Sequence, residues 1–238
     1  MIEVLIPTCD KYIKYTEALM ISARELWPDY ENQPFRILAF KPPKFKLDPN
    51  WSFTRIGKRD EGEQSWGTGL HWFFSNYPNE TFIYGSDDCA LTYADEERLK
   101  IGIKFCSMRN VGRFALMADK PEKSSLVHLE GKNVIPIYEY GKGINYRLSL
   151  SWSVYNTAFF RKFLQKNMTP WQFEKQSCGD LNIEPYNILS FYPYGAIDAA
   201  YFCRKDKGVI EDWHKGYYGN NLQGQLKEKV QQIIFSND

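Results

Sequence analysis

Apolar and polar positions along the chain fall into two rhythms. Ile2 to Pro7 is a short apolar, β-branched run of the kind that forms a buried strand. Beyond Pro7-Thr8-Cys9-Asp10, residues Leu19, Met20, Ala23, Leu26 and Trp27 recur at the spacing of one helical face. Phe35 to Phe40 and Trp51 to Ile56 predict two further strands. Trp66, Leu70, Phe73, Phe74 and Tyr77 mark one face of a second helix. Thr81 to Ser86 is nearly continuous in apolar character, as in a strand covered on both faces, and it runs directly into Asp87-Asp88. Strand and helix alternate through these first ninety residues, which predicts a largely parallel sheet with right-handed crossovers.

The remainder reads differently. A helix is expected near Asp95 to Cys106, then short strands at Arg113 to Met117, Leu126 to Leu129 and Val134 to Tyr138. Pro136 should push the last of these toward a sheet edge. From Arg147 to Tyr155, the polar residues Arg147, Ser149, Ser151 and Ser153 alternate with Leu148, Leu150, Trp152 and Val154, predicting a half-buried strand with one polar face. Phe160, Phe163 and Leu164 mark a short helix. Thr169-Pro170-Trp171-Gln172 reads as a helix start, with Thr as N-cap, Pro in the first turn and Gln closing a capping box. Ile188 to Tyr192 and Ala199 to Arg204 are further strands, and Leu222, Leu226, Val230 and Ile233 predict a closing amphipathic helix. The expected architecture is α/β: one domain over residues 1–238, with a mixed, mostly parallel central sheet flanked by helices.

Composition narrows the function. Lys and Arg number 30 against 29 Asp and Glu, so there is no net basic field, and non-specific nucleic-acid binding is excluded as the main role. Aromatic residues reach 16%, including seven Trp, which serve either as core or as flat platforms for a sugar face or a base. The five cysteines are odd in number and contain no CxxC pair, which fits a reducing compartment rather than a disulfide framework or a zinc site. The N-terminus shows no signal peptide and no apolar run is long enough to span a bilayer, so the chain reads as cytoplasmic, without an integral membrane segment.

Two features carry chemistry. Asp87 and Asp88 end the apolar run Phe82-Ile83-Tyr84-Gly85-Ser86, and paired carboxylates there are expensive unless a cation sits with them. The C-terminal edge of parallel strands is also where open α/β sheets bind ligands. A divalent ion gripping a diphosphate would account for both; the alternative is a turn in which the Asp pair caps the next helix. The second feature is Pro7-Thr8-Cys9-Asp10, expected at the same edge. It is either a loop offering a hydroxyl and backbone groups to a base or ribose, or an ordinary strand–helix connection.

The first strand ending in Ile6-Pro7-Thr8, the later strand ending in Asp87-Asp88, and the segments Ser149-Leu150-Ser151-Trp152-Ser153-Val154-Tyr155-Asn156 and Pro170-Trp171-Gln172-Phe173-Glu174 occur in a telling order. In that order they resemble glycosyltransferases of the GT-A fold, of the small kind found in bacteria, phages and large DNA viruses. The resemblance covers roughly residues 2 to 205. It implies a nucleotide-binding half over residues 1–90, an acceptor-binding half over residues 91–238, and a UDP- or GDP-sugar donor. It also implies Mn²⁺ or Mg²⁺ as cofactor and a glycan or glycolipid acceptor.

Site roles follow by position. Thr8 and Asp10 would face the nucleotide, Tyr12 would stack on its base, Asp87 would lie near the ribose, and Asp88 would hold the metal. The chain departs from the family pattern here, since Ser86-Asp87-Asp88-Cys89 contains no D-x-D spacing. His214 would be a late metal ligand, as in some enzymes of the fold. An inverting transferase needs a carboxylate to take the acceptor proton, and Glu174 is the candidate base, with Asp180 and Asp198 as weaker substitutes. Trp171, three residues earlier on the same helical face, and Trp152 would meet the acceptor sugar. His71 reads as a structural part of its helix; Trp66 would border the donor pocket or, the preferred reading, pack on the helix's apolar face. A sugar nucleotidyltransferase is the nearest rival, but Pro7-Thr8-Cys9-Asp10-Lys11-Tyr12 lacks the glycine-rich loop such enzymes carry. A non-catalytic glycan-binding module would explain the aromatic rings but not the paired carboxylates.

Overall fold

The apolar runs at residues 3–7, 35–39 and 81–84 are covered on both faces, whereas the run at 126–129 is exposed. The structure, a computed structural model, describes residues 2–58, 62–108, 110–118, 124–130, 134–141, 147–176, 183–204, 208–209, 213–216 and 219–236. In chain order, β1 (Glu3–Pro7) leads into α1 (Tyr15–Leu26), followed by β2 (Phe35–Ala39), β3 (Trp51–Arg55), α2 (Glu63–Ser75) and β4 (Thr81–Tyr84). Then come β5 (Cys89–Ala94), α3 (Glu96–Cys106), β6 (Val111–Ala115), β7 (Ser124–Glu130), β8 (Ile135–Tyr140) and β9 (Ser153–Asn156). The chain continues through α4 (Thr157–Phe163), α5 (Pro170–Lys175), β10 (Asn187–Phe191), β11 (Ile197–Tyr201), β12 (Cys203–Arg204), β13 (Gly208–Val209) and α6 (Gly224–Phe235).

Among the described residues, nine strands form one sheet in the order β3-β2-β1-β4-β9-β6-β10-β8-β7. The pairings β1–β2, β1–β4, β2–β3 and β6–β10 are parallel, and only β9 and β8 run against the other strands. The fold is therefore mixed α/β with a central sheet whose strands mostly share one direction. Alternation along β1 shows how the sheet is covered. Val4 and Ile6 join the core that includes Leu19 and Ala23 of α1, while Leu5 faces a second core with Leu70 and Phe74 of α2 and Phe160 of α4. All three β1 residues are fully buried. A third cluster joins Tyr15 and Ala18 to Ala90, Ala200, Phe202, Trp213 and α6.

The chain leaves β1, adds β2 and β3 outward on one side, and returns to place β4 on the other side of β1. The C-terminal ends of β1 and β4 thus bracket a point where strand order reverses, the position at which open α/β sheets leave a crevice. Because β9 is antiparallel to β4, the segment that enters β9 arrives at that same edge. A two-stranded sheet, β5 with β11, begins immediately after Asp88, and the Phe202 N–H donates to the Asp88 carbonyl at 2.9 Å.

Three expectations are corrected. The strand predicted over Arg147 to Tyr155 is regular only from Ser153, because the serine hydroxyls before it bond to neighbouring side chains and backbone instead of a ladder. β8 is not an edge strand. It lies between β10 and β7, and Pro136 is tolerated because pairing with β10 reaches only Ile137, so Pro136 pairs on the β7 side alone. β5 was not foreseen; its residues Ala90-Leu91-Thr92-Tyr93 follow the Asp pair as a strand, so those carboxylates cap no helix. No helix among the described residues is long and apolar enough to cross a membrane.

Candidate active site

A cleft of about 660 Å³ opens at the C-terminal edge of the sheet. It is lined by the loop after β1 (Pro7, Thr8, Cys9, Lys11, Tyr12), by Phe40 after β2, and by Ser86, Asp87 and Asp88 after β4. Further lining comes from Ser149, Leu150 and Ser151 before β9 and from Pro170, Trp171 and Glu174 of α5. Trp66 and Ser65 of α2, Tyr84 and Tyr201 also line it.

Local chemistry sets each wall. Gly85 lets the chain leave β4 against the indole of Trp152: a Cβ there would stand 2.9 Å from the ring and 3.3 Å from Ile6. α5 is fixed by the predicted capping box. The Gln172 N–H donates to Thr169 Oγ1 at 3.1 Å, and the Thr169 N–H donates to Gln172 Oε1 at 2.8 Å. One helical turn then carries Trp171, about a third exposed, and Glu174 toward the cleft. The Leu150 N–H donates to Glu174 Oε1 at 2.7 Å, so the carboxylate is held by the wall beside it.

Burial dominates the electrostatics. Asp87 is pushed up to about 6 by desolvation, opposed by a hydrogen bond from Thr8, and Asp88 to about 7 by desolvation and then by the charge of Asp87. The Tyr84 phenol is raised well above its usual range by burial first, then by Asp87 and Glu174, while a hydrogen bond with Trp66 works the other way. It therefore stays protonated between the two carboxylate groups.

Of the residues singled out in the sequence, Thr8, Tyr12, Asp87, Asp88, Trp171 and Glu174 all line this cleft. Four others fall elsewhere. Asp10 lies off the cleft lining and pairs with Lys41 at 2.6 Å. Trp152 cannot meet an acceptor: it is fully buried, packs 6.0 Å from Trp27, and donates its Nε1–H to Cys89 Sγ at 3.4 Å. His214 sits in a turn off the cleft, its carbonyl accepting from the Leu222 N–H. Among the described residues it does not join the Asp pair in any group of three or more metal-ligating side chains. Asp198 is buried and accepts from the Ala199 N–H and from both the backbone and side-chain nitrogens of Asn220, a structural role. Asp180 lies outside the described residues.

Reading the sequence missed Tyr84, Lys11, Tyr201 and the serines 149 and 151 as cleft residues, and Trp66 lines the cleft while also packing edge-on against Phe173. The one available signal was Tyr84, a polar ring three residues before the Asp pair in an otherwise apolar strand.

The chemistry of Asp87 and Asp88 fits a divalent ion. Mg²⁺ and Mn²⁺ commonly take one or two carboxylates and complete their shell with phosphate oxygens and water, and two adjacent carboxyls held above their ordinary range gain most from a cation.

No family model and no curated protein matches the chain. Among solved structures it is similar to S. aureus TarS (1–349), at 12% identity over 82% of this chain and 59% of that one, with a TM-score of 0.47. That protein has also been solved with UDP-GlcNAc and with UDP. It is similar to mannosyltransferase PcManGT from Pyrobaculum calidifontis in complex with GDP-Man and Mn²⁺, at 9% identity over 79% of this chain and 56% of that one, with a TM-score of 0.40. An apo UDP-glucose pyrophosphorylase is similar at 10% identity over 84% of this chain and 93% of that one, with a TM-score of 0.46. The chain spans less than two thirds of the TarS and mannosyltransferase chains.

Proposed function

We propose that this chain is a glycosyltransferase that moves a sugar from a UDP- or GDP-sugar to a hydroxyl of a glycan or glycolipid, with inversion, in the cytoplasm. One observation carries the reading: the Asp87-Asp88 pair and Glu174 line a single cleft at the switch point of the sheet. Carboxylates for the donor and a base for the acceptor within one cleft are the groups that displacement at an anomeric carbon requires.

Residues 1–90 supply the nucleotide side and residues 91–238 most of the acceptor side, within one domain. Thr8 and Tyr12 border the nucleoside, with the Tyr12 ring as the stacking surface. Asp87 meets the ribose, and Asp88 would hold Mn²⁺ or Mg²⁺; such a cation would supply Lewis-acid stabilisation of the leaving group. Trp171 presents a sugar-sized apolar face. Glu174, oriented by the Leu150 N–H, takes the acceptor hydroxyl proton as that oxygen bonds the anomeric carbon. The bond from that carbon to the diphosphate breaks, and the nucleoside diphosphate leaves with the electron pair. The mannosyltransferase solved with GDP-Man and Mn²⁺ and the TarS complex with UDP-GlcNAc agree with this donor class. The described cysteines Cys9, Cys89 and Cys106 are free thiols, in keeping with a reducing compartment.

Calorimetric titration of UDP and of GDP, each with Mn²⁺ and with EDTA, is the test, followed by nucleoside diphosphate release from UDP-GlcNAc, UDP-glucose and GDP-Man. Metal-dependent binding that Asp88→Ala abolishes is the expected result. Absence of binding to both nucleotides, or formation of pyrophosphate from UTP and a sugar 1-phosphate, overturns the assignment.

A further inference from the structure

Arg113 is a fully buried cation on β6, in the middle of the sheet and behind the acceptor wall of the cleft. Burying a guanidinium is costly unless its donors are well used. Its donors reach back along the segment that enters β9: Nε donates to Ser153 Oγ at 2.9 Å, Nη2 to Ser151 Oγ at 3.2 Å, and Nη1 to the Arg147 carbonyl at 3.3 Å. The planar fork thus clamps both ends of residues 147–153, of which 147–151 lie ahead of the β9 ladder.

The middle of the segment is tied as well. The Tyr155 hydroxyl, also buried, donates to the Ser149 carbonyl at 2.6 Å. Ser149 Oγ donates to Ser151 Oγ at 3.2 Å and accepts from the Ser151 N–H at 3.2 Å. Between these two serines lies Leu150, whose N–H holds Glu174 Oε1 at 2.7 Å. Ser149, Leu150, Ser151 and Glu174 all line the cleft, whereas Arg113 does not.

We propose that Arg113 is a positioning residue: through Ser151 and the Arg147 carbonyl it fixes Leu150, and through Leu150 it aims the Glu174 carboxylate into the cleft. Whether Glu174 is the base rests on the transferase reading; the positioning of Glu174 by Arg113 does not. A lysine at 113 keeps the charge but, as a point charge, cannot reproduce a three-way planar clamp. Ser151→Ala cuts one tie without leaving a charge buried alone.

The test reads the Leu150 amide proton by NMR in the wild type, Arg113→Lys, Ser151→Ala and Glu174→Gln. A short bond to a carboxylate places that proton downfield in the wild type, and all three variants should move it upfield while most other amide signals stay in place. If Arg113→Lys does not fold, Ser151→Ala alone decides. A Leu150 signal unmoved in the folded Arg113 and Ser151 variants overturns the proposal, whatever the protein binds. Where a donor sugar is turned over, Arg113→Lys should lower kcat by up to about 10²-fold, the scale of an ångström's misplacement. Affinity for UDP or GDP should stay within about twofold, and the loss should vanish in a Glu174→Gln background because both changes act through one group. Losses that multiply across the double variant assign Arg113 a general structural role and refute the positioning one. Failure of UDP and GDP to bind leaves the amide readout intact, so the two readings fail separately.

Discussion

Asp88→Asn should stabilise the metal-free protein near neutral pH and do little in acid. Asp87 and Asp88 are adjacent half-buried carboxyls raised from an ordinary 3.8 to about 6 and about 7, chiefly by desolvation. A carboxyl whose folded value lies above its unfolded value holds its proton more tightly in the native state. Its stabilising contribution is therefore fully present below about pH 4 and is lost as the pH rises through about 7. At about 1.4 kcal/mol for each tenfold in proton affinity, the difference at Asp88 sets a ceiling of ~4 kcal/mol. The cleft opens to water, which rehydrates part of the charge, so about half of that ceiling, ~2 kcal/mol, is expected. In a chain of this size ~2 kcal/mol corresponds to ~4–8 °C in Tm. Asparagine keeps the shape and removes the ionisation. Thermal denaturation of both proteins in EDTA, from about pH 4 to about pH 8, should show a stability difference that grows with pH. Added Mn²⁺ should then raise the Tm of the wild type and leave that of Asp88→Asn nearly unchanged, because binding to the native state alone stabilises it. A variant less stable than wild type at about pH 7.5, or a difference independent of pH, would refute the reasoning.

Three other changes probe separate parts of the cleft. Glu174→Gln should lower kcat by about 10²–10⁴-fold with nucleoside diphosphate affinity unchanged, as measured by product release and calorimetry; unaltered turnover removes it as the base. Thr169→Ala breaks the capping box and should cost ~1 kcal/mol in urea denaturation. A loss indistinguishable from zero would mean that packing of Phe173, fully buried, holds α5 without the cap. Gly85→Ala places a methyl 2.9 Å from the Trp152 ring and should cost ~1–3 kcal/mol while weakening nucleotide binding, since the Asp pair follows directly. Binding as tight as wild type would show that the turn gives way without moving Asp87 and Asp88.

Much of the fold is legible along the chain because it is local. β1 to β4 with α1 and α2 follow from apolar runs and helical spacing, and α5 from its own capping residues, Thr169, Pro170 and Gln172. Departures occur where long-range contacts overrule the local pattern. The alternation from Arg147 to Tyr155 looks like a strand, yet Arg147, Ser149, Leu150 and Ser151 bond to Arg113, Tyr155 and Glu174, and regular pairing begins only at Ser153. β5 was hidden because its partner β11 lies about a hundred residues later in the chain, and no short window contains both.

The sequence by itself determined most strand and helix identities, the Asp87-Asp88 pair at the end of a buried strand, and the helical turn that presents Trp171 with Glu174. Those depend on residue periodicity, capping and the cost of burying charge, all of which act over a few neighbours. Tertiary structure alone decided which of these groups share a cleft. Reversal of strand order about β1 brings Thr8 beside Asp87, and the antiparallel insertion of β9 brings Ser149 to Ser151, with Glu174, into the same cleft. It also sent Trp152 to the core and Asp10 to Lys41. Side-chain direction and burial are set by what packs across the sheet, and that partner is remote in sequence.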